Sequence, residues 1–353
     1  MLPLRLCFSA LLLLSVVGTA SGPPGVASAP QHFVFVDRDR ERLSDPTLLG
    51  NTAIAGVQVK YTWRELEPAR DRYELQPVLD DIALLGRHGK RLFIQLQDVS
   101  FSSNVLVPDY LVSDPGFHGG VARKYAIQGD DEGTARFEGW VARRWDPSVR
   151  ERFIALLHVL GKAVDGRIAG LNLAETSIDF GTSGKLHPAG FTYDSYLDGI
   201  KALMTGARQA FPRSTVILYA NFMPGEWLPW NDHGYLKAVY AWANKTGVGV
   251  GGPDVLPHRR GQQNHSYPLI AARASGIPAG IAVQDDNLAE INPTTKTRVS
   301  VQELYDFAHE RLRVDYIFWG TQEPYYTKEV LPFLARFRTG RLVGFLQSQT
   351  PHP

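Results

Sequence analysis

Only one of the 353 residues is a cysteine, Cys7, and it lies in the apolar leader. Disulfides, cysteine nucleophiles and zinc–thiolate sites are thereby excluded from the rest of the chain. Charge of one sign is lacking too. Thirty-seven Lys and Arg face 36 Asp and Glu, leaving a formal net charge of +1 and no basic run. Neither nucleic acid nor a membrane is therefore expected as partner. No HExxH, GxSxG or GxGxxG occurs, which argues against a zinc protease, an α/β-hydrolase and a dinucleotide site. His32 has no HxH companion, and the other histidines are scattered. No metal and no cofactor is expected.

Apolar runs of a dozen residues are confined to the N-terminus, where residues 6–17 follow Arg5 and precede Gly18-Thr19-Ala20. One positive charge, a short apolar core and small residues at its end form the pattern of a secretory signal peptide, too short to span a bilayer. Residues 1–20 read as that peptide and 21–31 as a linker rich in Pro, Gly, Ala and Ser. Residues 32–341 read as the catalytic domain and 342–353 as a C-terminal tail. The expected location is secreted or periplasmic, and the expected state a monomer or weak oligomer. Without disulfides the chain must be held by its core, for which its 44% hydrophobic content suffices.

After the linker, short β-branched runs alternate with amphipathic segments. Candidate strands are 33–36, 54–60, 91–96, 168–173, 215–219, 248–251, 280–283 and 316–319. Eight such runs separated by helical stretches predict a (β/α)8 TIM barrel, with catalytic side chains where strands end. Val149, Phe153, Leu156, Leu157, Leu160 and Val164 form one helical stripe after Asp146-Pro147, and Ser300-Val-Gln-Glu303 reads as a capping box. The spacing breaks once, after strand 3. There residues 98–145, dense in Pro and Gly, read as a long irregular loop insertion of the kind that tends to be functional.

Glu175 stands at the carboxyl end of the run 168–173, and the chain then turns polar. A carboxyl group at such a position suits proton transfer to a leaving oxygen, provided its surroundings raise its pKa. Strand 2 leads into Tyr61-Thr-Trp63-Arg-Glu65-Leu-Glu67-Pro68, then Asp71-Arg-Tyr73, then Leu79-Asp80, and strand 3 gives way to Pro108-Asp-Tyr110-Leu111. This order resembles the clan-A glycoside hydrolases, especially the family 42 β-galactosidases and related barrels. In those barrels strand 4 ends in Asn-Glu, here Asn172-Leu-Ala-Glu175, and strand 8 ends in a Trp beneath the sugar, here Trp319. The resemblance implies a glycoside hydrolase with Glu175 as general acid, and with the leader it gives the expectation of a secreted enzyme acting on a poly- or oligosaccharide.

The chain departs from that pattern at strand 7, where the clan carries a nucleophilic Glu and this sequence reads Gln284-Asp285-Asp286-Asn287. Asp285 can serve as nucleophile or base. Gln284 can instead occupy the glutamate's position, leaving a carbohydrate-binding barrel that does not hydrolyse. Glu323, four residues past Trp319, is the other candidate carboxylate. Lys60, Gln95, Gln97, Asp98, Asn172, Tyr219, Asn221, Asp254 and Gln284 are candidate sugar contacts at strand ends, and Trp63, Trp227 and Trp230 candidate platforms for sugar rings.

Overall fold

The computed structural model describes residues 29–129, 131–284 and 286–337; the leader, most of the linker, Asp285 and the tail lie outside the described residues. Eight parallel strands close into a barrel: β1 (Gln31–Phe35), β2 (Ile54–Thr62), β3 (Arg91–Gln97), β6 (Gly170–Leu173), β7 (Thr215–Tyr219), β8 (Gly249–Gly252), β9 (Ala279–Val283) and β10 (Tyr316–Gly320). Each matches an expected run to within two residues at either end. Closure is made by β1 against β10, with Gln31 opposite Tyr316. The (β/α)8 barrel is thus the observed fold.

The insertion after β3 is more ordered than its composition implies. It contains a short helix, Asp109–Ser113, and an antiparallel hairpin, β4 (Val121–Gln128) with β5 (Asp131–Ala142). The irregular loop expected there is corrected to a hairpin. Two alternating runs meeting at Gly129-Asp130 were the available signal, masked by the surrounding glycines and prolines.

Side-chain alternation divides the strands into an inner and an outer face. Inside, Phe33, Phe93, Ile217 and Phe318 form a small apolar cluster at the bottom of the lumen, with Phe93 and Phe318 edge to face at 4.8 Å. Glycines make room for these rings: a Cβ on Gly170 would lie 2.4 Å from the Phe93 ring, and one on Gly280 2.9 Å from that of Phe318. Moving up each strand by two residues changes the chemistry. Phe93 is followed by Gln95 and Gln97, Ile217 by Tyr219, and Gly56 by Gln58, Lys60 and Thr62. The lumen is therefore apolar at its floor and polar at its mouth.

The outer face packs against helices in a much larger core. The helix Pro147–Val164 buries the stripe expected of it and is capped by Asp146, whose side chain accepts the Ser148 N–H at 2.9 Å. At Ser300 only half of the expected capping box forms. Its hydroxyl accepts the Glu303 N–H, while the Glu303 carboxylate turns to His258 at 2.9 Å. Among the described residues no helix is long and apolar enough to cross a membrane.

Candidate active site

The end of β6 is fixed before any side chain reaches outward. Arg144, just past the hairpin, is buried and bonds both oxygens of buried Asp98 at 2.8 and 2.6 Å. The same guanidinium donates to the Glu175 carbonyl at 2.7 Å and to the Tyr196 hydroxyl, and that hydroxyl in turn donates to the Thr176 carbonyl. The Thr176 N–H and hydroxyl donate to the carbonyls of Tyr219 and Phe222. Four bonds thus hold residues 175–176, two of them to the end of the neighbouring strand. Removing one partner of such a buried pair typically costs about 3–5 kcal/mol.

From that anchored backbone the half-buried Glu175 side chain enters a hollow of about 230 Å3 above the lumen, shared with Lys60, Gln95, Gln97, Tyr219 and Gln284. Asn221, at the end of β7, donates to Glu175 Oε2 at 2.6 Å. Burial pushes the Glu175 carboxyl up to about 7, and the charge of Asp254 pushes the same way. The Asn221 bond, Lys124 and Arg144 pull against them. The group is therefore partly protonated near neutral pH, as a general acid must be. Asp254 is itself raised by burial, offset by a 2.9 Å bond from Asn287 and by Arg259.

Beneath the hollow the polar layer is internally bonded. Gln58 donates to Asn172 Oδ1 at 3.1 Å and to the Tyr219 hydroxyl at 3.3 Å, while the Asn172 amide donates to the carbonyls of Leu173 and Ile217. Asn172 is fully buried and so committed to the barrel. It braces the site from below and offers no atom to a ligand. Gln95 Oε1 is a buried acceptor without a protein partner. Lys60 pairs with Asp37 at 3.0 Å at the rim.

The remaining candidates divide by which way their strand or loop turns them. Trp319 is fully buried, because Phe318 and Gly320 take the inward positions of β10 and turn it toward the helices. There its Nε1–H donates to His32 Nδ1 at 3.1 Å. Trp63 is likewise buried, packed on Phe153 and donating to Glu67. Neither can lie beneath a sugar, and both expectations are corrected. Asp98, expected as a sugar contact, is consumed by Arg144. Glu323 is exposed and accepts from the Thr327 hydroxyl at 2.6 Å; it does not line the hollow that holds Glu175. Asp285 lies outside the described residues.

Sequence reasoning missed Lys124 and Arg144, both contributed by the hairpin and its base. Lys124 is buried, salt-bridged to Glu138 and seated over the Phe101 ring; burial lowers its pKa, against the pull of Glu138. No motif marks either residue, since a long insertion fixes where they arrive. Among the described residues no cluster of three His, Cys, Asp and Glu side chains could hold a metal ion.

A second, larger cleft of about 630 Å3 begins at Ser177 and Phe222, close in sequence to Glu175 and Asn221. Its lining includes Trp227 and Trp230 on one loop and Ile127, Gly129 and Glu132 at the hairpin tip.

No family model and no curated protein matches the sequence. Solved structures do share the fold. The catalytic domain of a β-amylase from Paenibacillus polymyxa aligns with a TM-score of 0.54 at 9% identity, over 83% of this chain and 93% of that one. A family 39 glycoside hydrolase from Bacteroides cellulosilyticus WH2 aligns at 0.50 and 11% identity, over 83% of this chain and 56% of its own. The exo-β-1,4-mannosidase Op5Man5 from Opitutaceae bacterium strain TAV5 aligns at 0.50 and 13% identity, over 88% and 59%. At these identities the likeness is one of barrel architecture.

Proposed function

We propose that the chain is a secreted glycoside hydrolase acting on a poly- or oligosaccharide, with Glu175 as general acid. The observation that carries this reading is the Glu175 carboxyl, raised to about 7 by burial and by Asp254 in a polar hollow at the barrel mouth. A carboxylic acid in that state can give its proton to the glycosidic oxygen as the C–O bond breaks, so that the sugar beyond it leaves as a neutral alcohol and Glu175 remains as a carboxylate. The neighbours named as β-amylase, family 39 glycoside hydrolase and exo-mannosidase support the reaction class.

Glycoside hydrolysis by this route uses a second carboxylate, as nucleophile or as the base that activates water. Asp254, at the end of β8, acts electrostatically on Glu175. Asp285 and Glu323 are the carboxylates expected from the sequence, and the surroundings of Glu323 favour it least. Single Asp254→Asn, Asp285→Asn and Glu323→Gln variants assayed on a polysaccharide panel assign the role. The partner's loss should lower turnover as far as Glu175→Gln does, and azide should restore activity only where the lost group is a nucleophile. Full activity in all three variants would sink the two-carboxylate reading.

One observation favours a second reading. Gln284 faces the hollow from the end of β9, and an amide there cannot act as nucleophile. A carbohydrate-binding barrel without hydrolysis would retain sugar affinity in the wild type with no product from any member of the panel.

A further inference from the structure

Two of the largest exposed apolar side chains in the described structure are Trp227 and Trp230, 51% and 66% exposed, and both line the cleft beside the acid. Their loop is not loose. Trp227 and Asn231 exchange two backbone hydrogen bonds of 2.9 Å, and Asn231 also donates to the Gly225 carbonyl. The Trp227 ring lies parallel to Phe222 at 5.7 Å and packs on His265, whose Nε2 accepts the Leu228 N–H. Glu226 spends its carboxylate on the first N–H groups of the helix Tyr235–Thr246. The fold thus holds apolar faces toward solvent at an energetic cost, which marks a binding surface.

The opposite wall is built with equal care. Glu132, at the hairpin tip, receives the N–H groups of Thr182 and Ser183 at 2.7 and 2.6 Å and the Ser183 hydroxyl at 2.5 Å. That pins the tip to the loop following β6, so hairpin and loop move as one wall. The three carboxylates lining the cleft, Glu132, Glu226 and Asp179, all accept backbone N–H groups, and the exposed aromatic faces are its main recognition element. Aromatic faces suit the C–H faces of neutral sugar rings. The cleft is continuous in sequence with the site: Phe222 follows Asn221, whose amide holds Glu175.

We infer that this cleft binds the sugar rings beyond the one in the Glu175 hollow, so that the ligand is a chain of several sugars, stacked on Trp227 and Trp230. The inference rests on the carbohydrate reading above but not on hydrolysis itself.

The test titrates Glu175→Gln protein calorimetrically with paired di- and hexasaccharides of α-1,4-glucose, β-1,4-glucose, β-1,4-mannose and β-1,4-xylose. In at least one series the hexasaccharide should bind about tenfold or more tighter than the disaccharide, the scale of one or two ring contacts. Trp227→Ala/Trp230→Ala in the same background, with unchanged far-UV circular dichroism, should lose that advantage. Equal affinities for both lengths in every series would overturn the inference, as would an undiminished advantage in the double variant. The two readings fail separately. Length-dependent, tryptophan-dependent binding by a wild type that cleaves nothing leaves the cleft standing and removes the hydrolase. Cleavage without length-dependent binding does the reverse.

Discussion

The hollow over the lumen holds Glu175, and the cleft begins two residues further along the chain at Ser177, yet the two are made of different material. The floor of the hollow is made by side chains of β2, β3 and β7, held by strand register above a bonded polar layer, while the loops after β1 and β3 close its rim. The cleft is lined by loops and a hairpin tip, and its largest side chains point away from the core. Strands supply positions that cannot drift, which proton transfer needs. Loops supply area and can vary without disturbing the barrel, which is where selection among ligands is made.

The largest effect should come from the hollow. Glu175→Gln is expected to lower turnover by about 10²–10⁴-fold. The same variant should be more stable than wild type at pH 8. The folded pKa of about 7 lies above the ordinary carboxylate value of 4.5, so the wild type loses stability as pH rises from 4.5 through 7. Above that it carries a buried charge that Gln does not. The gain should be on the order of 2 kcal/mol at pH 8 and vanish at pH 4. Chemical denaturation at the two pH values checks it; an equal effect at both would show that Glu175 is not desolvated.

Arg144→Met attacks the brace between the two regions. It leaves Asp98 buried without its cation and frees the Glu175 carbonyl, so stability should fall by about 3 kcal/mol and turnover should fall with it. Unchanged turnover in the folded variant would mean that the acid is positioned without help from the hairpin's base.

Smaller shifts sharpen the electrostatics. The pH profile should fall on the alkaline side, above about 7, as Glu175 ionises, and on the acid side as the partner carboxylate takes up a proton. Asp254→Asn removes a negative charge that disfavours ionisation, so the alkaline limb should move to lower pH. Asn221→Ala removes a bond to the ionised form, so the limb should move to higher pH. Limbs moving in the same direction would contradict the assignment.

The smallest functional change is expected from the buried tryptophans. Trp319→Phe gives up the bond to His32 and some packing, costing about 1–2 kcal/mol in stability, with oligosaccharide affinity unchanged. A loss of affinity matching that of the Trp227/Trp230 pair would return Trp319 to the site.

This contrast explains how much could be read from the sequence. Eight short apolar runs alternating with amphipathic helical segments were visible, and so was Glu175 at the end of one of them. Lys60, Gln97, Tyr219 and Gln284 were legible as polar residues at or beside the ends of such runs, and all four line the hollow. Trp319 shows where that reading failed: whether a strand's last residue faces in or out depends on a register shift of one position, and the chain shows an aromatic either way. Arg144 and Lys124 were invisible for another reason. They approach Glu175 from a segment about 30–50 residues upstream, by way of hairpin pairing that only the three-dimensional fold determines.

Barrel closure sets an order of events in the life of the chain. Every described residue of the hollow lies between positions 37 and 284, yet the sheet that holds them has an open edge until Tyr316–Gly320 pairs with Gln31–Phe35. That pairing joins segments some 285 residues apart, and contacts of such long separation form slowly. A nascent chain emerging from the ribosome therefore carries all the described parts of the hollow for some time before it carries the hollow. During that interval β1 and β9 present unpaired edges to any other strand nearby.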